Sequence, residues 1–240
     1  MEPAYRKVAA AIGARIRGRA LQEGERLPSE TELARQFGVN RSTVREALRE
    51  LESRGLVQRR PGSKLMSVSR PHHDAVAAGV SDALLLHDVT VRELWEALSI
   101  LEPPIARTAA RTRSAADLEL LAAATETFAA HLAATEAVVK HTAEVFRCIG
   151  RATHNPVLQL AQEPLLQLLK PSLRAMIEKV PQAPSRIATA QRRLLEALQA
   201  GDAAAAETWM GRHIRDFRRG YELAAIDLEL RVTADPPGAA

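Results

Sequence analysis

The chain has 240 residues, of which 46% are hydrophobic and 26% are charged, a composition typical of a folded protein with one large domain or two modest ones. Its single cysteine, Cys148, excludes an internal disulfide framework, and no apolar run has the length of a membrane span or the form of a secretory signal. These two absences lead us to expect a cytoplasmic protein without membrane contact. Alanine and leucine abound while aromatic residues make up only 3%, so we expect a mostly helical fold.

The net charge of +4 is unevenly divided along the chain. Residues 1–70 contain 15 basic and 8 acidic residues, whereas residues 71–240 contain 18 basic and 21 acidic ones. This split is typical of a small nucleic-acid-binding domain followed by a larger module with another task. We predict four segments: a DNA-binding domain at 1–70, a linker at 71–80, a helical domain at 81–233 and a disordered tail at 234–240.

The first domain begins with three predicted helices. An apolar stripe indicates a first helix over about residues 4–20. Ser29 and Glu32 have the spacing of a capping box at the start of a second helix, which Gly38 ends. Asn40 can cap the third helix. Two short helices joined only by residues 38–40 form a helix-turn-helix.

The third helix carries arginines at four-residue spacing, Arg41, Arg45 and Arg49, on one face. An ion-paired solvent face would alternate in sign, yet Glu46 and Glu50 are also four apart. Like charges at this spacing cost an isolated helix about 0.2–0.5 kcal/mol per pair, a cost that a bound polyanion would remove. Nucleic acid is therefore a candidate partner. This helix alone does not decide between nucleic-acid binding and an ion-paired, solvent-exposed surface.

Residues 56–68 alternate apolar and polar side chains on both sides of a turn at residues 61–64, which predicts a β-hairpin. A helix-turn-helix followed directly by a hairpin is a winged helix. In this arrangement the third helix enters the major groove and the wing approaches the backbone or the minor groove.

Residues 27–64, LPSETELARQFGVNRSTVREALRELESRGLVQRRPGSK, resemble the DNA-binding domain of the GntR family of bacterial transcription regulators. The resemblance implies DNA contacts at these positions: Arg41, Ser42, Thr43, Arg45, Arg49 and Gly62. Lys64 and Arg59 are further candidates for phosphate contacts from the wing. Thr31 stands where the family often has a basic residue. Arg35, one turn later, is a candidate replacement, or it pairs with Glu32 or Glu30.

The second domain is predicted to be all helical, with a break at Pro103-Pro104. Its predicted helices cover residues 91–101, 105–113, 115–136, 138–153, 155–178, 185–200 and 202–231. The last of these carries an apolar seam that requires packing against neighbouring helices: Met210, Ile214, Phe217, Tyr221, Ala224 and Leu228.

Three stretches of this domain, residues 93–110, 144–158 and 194–214, resemble the C-terminal ligand-binding domain of the FadR subgroup. The resemblance implies a homodimer that binds a palindromic operator and releases it when a small metabolite, commonly a carboxylate, enters the bundle. Leu98 stands where relatives often have an arginine, which suggests a more apolar wall of the pocket.

Many relatives hold a divalent metal with one aspartate and three histidines. The matching positions here are Ala143, Arg147, Gln191 and His213, so one of the four ligands is kept. Alanine has no donor atom and arginine carries a permanent positive charge, so we expect no bound metal and no cofactor. A site rebuilt with His141 and Glu144 is an open alternative.

Arg147 can bind a carboxylate or phosphate through two parallel hydrogen bonds, with Gln191 and His213 as polar partners in the same cavity. The alternative is that Arg147 pairs with Glu144 and the pocket is degenerate. The chain contains no Glu-x-x-His, GxGxxG or GxxxxGK[ST] motif, and we expect no enzymatic activity.

The resemblance and these residues together imply a homodimeric transcription regulator that is controlled by an anionic metabolite; we expect a repressor, and activation stays open. The alternative is a regulator whose helical domain only dimerises or binds a protein partner.

Overall fold

The computed structural model describes residues 2–60, 62–63, 65–71 and 73–234. The chain divides into two compact units, residues 1–75 and 76–240, which are described separately below. The described residues form ten helices and one two-stranded antiparallel hairpin, which confirms the predicted fold class, a mostly α protein with a winged helix-turn-helix followed by a helical bundle. No helix in the described ranges is both long enough and apolar enough to cross a membrane.

The first unit has the predicted order of elements. These are α1 (Ala4–Arg17), α2 (Glu30–Phe37), α3 (Arg41–Ser53), β1 (Val57–Arg59) and β2 (Met66–Val68). Its core is built from one face of each helix and from the base of the hairpin, and α3 contributes Val44, Ala47, Leu48 and Leu51. The arginines of α3 therefore lie outside this core.

The ends of α2 and α3 are fixed locally, as the sequence predicts. Ser29 Oγ accepts a hydrogen bond from the Glu32 backbone N–H at 3.3 Å, and the Ser29 N–H donates to Glu32 Oε2 at 2.8 Å. Gly38 has a φ of 64°, the left-handed conformation that ends a helix at little cost in glycine. Asn40 Oδ1 accepts from the Thr43 N–H at 2.8 Å and begins α3.

The hairpin is held by backbone bonds on both edges of β2. Val57 pairs with Val68 and Arg59 pairs with Met66 across the hairpin. On the other edge, the Leu27 N–H donates to the Met66 carbonyl at 2.8 Å. Val57, Met66 and Val68 are buried, so the base of the wing is part of the core.

The second unit is an all-helical bundle around one large apolar core. Its helices are α4 (His73–Leu86), α5 (Val91–Thr112), α6 (Ala115–Ala130), α7 (Thr135–Arg151), α8 (Pro156–Lys179), α9 (Ala183–Ala200) and α10 (Ala203–Leu223). Of the predicted apolar seam, the first five residues are buried and Leu228 is half-buried beyond the end of α10.

The division between the two units, after residue 75, falls inside the segment predicted as a linker, residues 71–80, and most of that segment belongs to α4. Two predicted features of the helical unit are wrong. The predicted break at Pro103-Pro104 is absent, because α5 continues through both prolines. The last helix ends at Leu223 rather than at residue 231, and Ala225 follows it with a φ of 50°.

After α10 the chain returns to the start of α5. The Leu230 and Leu228 carbonyls accept hydrogen bonds from the Val91 and Arg92 N–H groups, both at 2.9 Å. The Val232 N–H donates to the Val89 carbonyl at 2.7 Å. The first two bonds satisfy the Val91 and Arg92 backbone donors in the first turn of α5, which have no partner within the helix.

Candidate nucleic-acid interface and interior polar site

The N-terminus of α3 is organised around the side chain of Asn40. Its Oδ1 atom accepts from the Thr43 N–H and also from the hydroxyls of Ser42 and Thr43, both at 2.7 Å. Both hydroxyl protons are therefore used within the cap. A phosphate oxygen accepts but cannot donate, so a DNA phosphate contact by Ser42 or Thr43 requires the hydroxyl to leave Asn40.

The three arginines of α3 are all exposed, but they have different neighbours. Arg45 donates from Nε and Nη2 to the two carboxylate oxygens of Glu30 at 3.2 and 2.9 Å. Arg41 Nη2 lies 3.9 Å from Glu30 Oε2. Arg49 lines a surface groove between α1 and α3, together with Arg6 and other residues. Two of the three arginines thus share one carboxylate.

Glu30 was considered from the sequence only as a partner for Arg35. The hydrogen bond from Arg45, together with the charges of Arg45, Arg41 and Arg59, keeps the pKa of Glu30 below its ordinary value. Arg59 extends this basic surface onto the wing, because it ends strand β1. The short connection from Gly38 to Asn40 brings Glu30 beside α3, and no local sequence signal marks this contact.

Two of the remaining predicted DNA contacts, Arg35 and Gly62, are exposed in the winged helix. Arg35 is exposed on α2, while its predicted partner Glu32 is held by the Ser29 hydroxyl at 2.7 Å. Gly62, at the tip of the wing, has a φ of 77° and is exposed. Lys64 lies outside the described residues.

The helical unit buries two of the residues that were predicted to bind a ligand. Gln191 and His213 are 0% and 1% exposed. The His213 ring packs against both Phe146 and Phe217, with centroid distances of 5.4 and 4.7 Å. Burial lowers the pKa of His213 to about 4, so the ring is neutral near pH 7. His213 Nε2 and both polar atoms of the Gln191 side chain have no hydrogen-bond partner within the described residues.

Arg147 is paired, mainly with a residue that the sequence did not suggest. Its Nε and Nη2 atoms donate to the two oxygens of Glu163 at 2.7 and 2.8 Å. Glu144, the predicted alternative partner, lies 3.5 Å from Nη1. The two-point geometry that was predicted for a ligand anion is thus occupied by Glu163, an acidic side chain that is itself buried.

The sequence reading missed Glu102, which is fully buried on α5. Gln162 Nε2 donates to Glu102 Oε2 at 2.9 Å and to the Phe146 carbonyl at 3.2 Å, while Glu102 Oε1 has no partner in the described chain. Burial raises the pKa of Glu102 to about 8. Its position gives a signal, because Glu102 lies between Leu98 and Ile105 on the helix face that is otherwise apolar.

Glu102 and His213 lie at the same level of the bundle because α5 and α10 run antiparallel in a fixed register. Trp95 Nε1 donates to the Ile214 carbonyl at 2.9 Å. A Cβ atom added to Gly211 would be 3.9 Å from the ring of Pro103. Glu102 precedes this proline, and His213 lies two residues beyond this glycine.

Gln191 reaches the same level from α9. Arg186 of α9 contacts Asp216 of α10 at 2.5 Å, and the Arg193 guanidinium lies 5.8 Å from the Trp209 ring centroid. Along α9, Gln191 lies between Arg186 and Arg193, and along α10, His213 lies between Trp209 and Asp216. Gln191 and His213 are therefore at about the same level. Glu102, Gln191 and His213 are thus three buried polar side chains at one level of three helices, and we refer to them together as the interior polar site.

Within the described part of the chain, no three histidine, cysteine, aspartate or glutamate side chains are grouped to hold a metal ion. This includes the alternative built on His141 and Glu144, which has no third ligand there. His141 instead neighbours His131, with ring centroids 5.5 Å apart.

A winged helix-turn-helix with arginines exposed on its third helix, in one chain with an all-helical unit, defines a DNA-binding transcription regulator. Residues 4–65 match the family of bacterial regulatory proteins called the gntR family, and residues 93–216 match the FCD domain. The chain belongs to the GntR family, in the FadR-like group that carries this helical domain. These families comprise transcription regulators, which confirms the prediction of a protein that is not an enzyme.

Curated relatives include the HTH-type transcriptional repressor NanR of Citrobacter rodentium (strain ICC168) and that of Escherichia coli O1:K1 / APEC. Each is 32% identical over 157 residues, which are 64% of this chain. The matched region spans 60% and 59% of the length of these two relatives. Among solved structures, Streptococcus agalactiae GntR has the same fold, with a TM-score of 0.65, 24% identity, and coverage of 90% of this chain and 99% of its own.

Proposed function

We propose that this regulator is a repressor that binds a palindromic operator as a homodimer and releases it when a small metabolite enters the helical unit. The observation that carries the DNA-binding part is the exposed arginine row of α3 beside an anchored wing. The NanR relatives are named repressors, which supports this direction of control. A ligand that favours one dimer geometry over another changes operator affinity, because the spacing of two half-sites is fixed.

In this proposal, Arg41 and Arg45 contact base edges or phosphates in the major groove. Further contacts come from Ser42, Thr43, Arg49, Arg35, Gly62 and Lys64. An arginine fork that binds guanine O6 and N7 discriminates against other bases by about 1–3 kcal/mol.

The test begins with selection of an operator from random duplexes, followed by anisotropy titrations of the full chain. We expect Arg45→Ala to lose at least tenfold in affinity for the selected operator while retaining weak binding to unrelated DNA. Arg219→Ala, which removes an exposed arginine from α10, is the matched control and should bind as the original protein does. Full retention of operator affinity in Arg45→Ala would refute the placement of α3 in the groove.

The proposed effector site is the interior polar site, with Arg147 at its edge. A buried polar atom without a partner costs about 1–3 kcal/mol, and a ligand that supplies hydrogen bonds would recover part of this. Four such atoms lie on Glu102, Gln191 and His213. An anionic effector would take the place of Glu163 on Arg147, exchanging one carboxylate for another.

A second candidate is a regulator without a small-molecule effector, in which the helical unit only dimerises or binds a protein partner. It is favoured by the pairing of Arg147 with Glu163, which already neutralises the predicted anchor.

Thermal denaturation of the full chain in panels of carboxylates, phosphates and neutral polyols separates the two candidates. A ligand at a hundred times its Kd adds about 2.7 kcal/mol to stability. A stabilising compound that loses its effect in Gln191→Leu, and that also weakens operator binding, would support the effector site. Arg147→Met then tests the anionic anchor, because unchanged affinity would exclude it.

A further inference from the structure

The carboxylate of Glu30 lies among the arginines of the surface that we assign to DNA, where a negative charge opposes binding to phosphates. We infer that Glu30 is a positioning residue that gives this regulator its sequence specificity, by holding Arg45 in place for a base and by weakening attraction to any other duplex. This inference rests on the proposed placement of α3 in the major groove.

The geometry leaves Arg45 able to read a base while it is bound by Glu30. Glu30 occupies the side of the guanidinium that carries Nε and one hydrogen of Nη2. The end of the fork, with one hydrogen each on Nη1 and Nη2, remains for a second two-point contact. Two parallel donors of this kind match guanine O6 and N7. A held arginine also loses less conformational freedom when it binds.

Glu30 is itself firmly placed. It is the first residue of α2, between the two capping-box residues Ser29 and Glu32, and its side chain is 24% exposed. An acidic residue at this position is also stabilised by the helix dipole. The pKa of Glu30 is lowered, chiefly by the hydrogen bond from Arg45, so the carboxylate is charged at neutral pH.

The charge of Glu30 affects cognate and unrelated DNA differently. Binding to unrelated duplex depends on the number of phosphates that are neutralised, and it weakens as salt releases these contacts. A carboxylate 2.9 Å from Arg45 and 3.9 Å from Arg41 reduces the charge available for such contacts. A hydrogen bond from Arg45 to a base depends on the position of the guanidinium, and Glu30 leaves that position unchanged. Glu30 should therefore lower the affinity for unrelated duplex more than the affinity for the operator.

The experiment compares three variants of the full chain for binding to the selected operator and to an unrelated duplex, over a series of salt concentrations. Glu30→Gln removes the charge and keeps the shape. Glu30→Asp keeps the charge and shortens the side chain by one methylene. Glu46→Gln is the control, because it removes one exposed carboxylate from α3 without touching the Glu30 and Arg45 pair. Circular dichroism melts verify that each variant is folded.

For Glu30→Gln we expect stronger binding to the unrelated duplex, a log-log salt slope steeper by about one, and a specificity ratio at least fivefold lower. For Glu30→Asp we expect a similar fall in the ratio with an unchanged salt slope, because the charge remains while the geometry is lost. Glu46→Gln should keep the ratio within about twofold. An unchanged ratio in both Glu30 variants would overturn the inference.

A double-mutant cycle tests whether Glu30 acts through Arg45. In the Arg45→Ala background, Glu30→Gln should leave the specificity ratio unchanged. An equal fall in both backgrounds would mean that Glu30 contacts a base directly, which would also overturn the inference. Failure of the proposed function looks different, because then Arg45→Ala itself would keep full operator affinity.

Discussion

Replacement of Glu102 by glutamine should stabilise the helical unit at alkaline pH and have little effect at pH 5. Burial raises the pKa of this carboxyl from 4.5 to about 8 in the folded protein. Each pKa unit corresponds to about 1.4 kcal/mol between the two protonation states, so ionisation of Glu102 removes about 3–5 kcal/mol of stability above pH 8. Gln162 can still donate its hydrogen bond to the amide oxygen of glutamine at this position.

The sign of this pH dependence of stability follows from how many protons the folded and unfolded chains bind. Between pH 4.5 and pH 8 the folded protein holds the Glu102 proton while the unfolded chain releases it, so stability falls as pH rises through this window. His213 acts in the opposite sense at lower pH. Its folded pKa is lowered to about 4, so stability falls as pH drops from 6.5, the ordinary pKa, towards 4. The two windows overlap between pH 4.5 and pH 6.5, where the two effects oppose each other, so the helical unit should be most stable in this range.

Both tryptophans, Trp95 and Trp209, lie in the helical unit, so their fluorescence reports its unfolding separately from that of the winged helix. Urea titrations at pH 5, 7 and 8.5 would give the free energy of unfolding for the original protein and for Glu102→Gln. Glu119→Gln, an exposed carboxylate on α6, is the matched control. Equal pH dependence of the original protein and Glu102→Gln between pH 5 and 8.5 would refute the reasoning.

Three further substitutions test the local structure. Asn40→Ala removes the cap of α3 and should cost about 1 kcal/mol in the stability of the winged helix, measured by thermal melts monitored by circular dichroism. Gly150→Ala should destabilise the helical unit by about 1–3 kcal/mol in urea, because the new Cβ would lie 2.2 Å from Gln162 Oε1; an unchanged midpoint would contradict this. Gly211→Ala meets only ordinary contacts from 3.5 Å outwards, so the same assay should show up to about 1 kcal/mol of stabilisation.

The winged helix was predictable because its signals are local. Ser29, Glu32, Gly38 and Asn40 act on backbone groups within four residues, so their spacing alone specifies the helix ends. The contact between Glu30 and Arg45 was not predictable in this way. It joins residues fifteen positions apart and depends on how α2 lies beside α3.

The errors in the helical unit have a common cause, because tertiary packing outweighs local preference there. A proline inside a helix costs about 3 kcal/mol, yet Leu98, Glu102, Ile105 and Ala109 keep one buried face across the two prolines of α5. In α10 the same effect shortens a helix instead of extending it. No glycine or proline stops this helix, and the following residues bond to the start of α5 instead.

Two of the three residues of the interior polar site, His213 and Gln191, were named from positions that resemble a metal site. Glu102 lacked a motif, and Glu163 was not considered as a partner for Arg147. Such pairings depend on the register between helices, for which no short-range signal exists in the sequence.

The bonds from residues 228–232 to the beginning of α5 also bear on the order in which the two units can fold during synthesis. A ribosome releases the winged helix first, and all of its contacts are then available to it. In the helical unit, the first turn of α5 lacks these partners until nearly the last described residues have emerged. During translation, a DNA-binding unit that can already fold would precede a helical unit that cannot yet close.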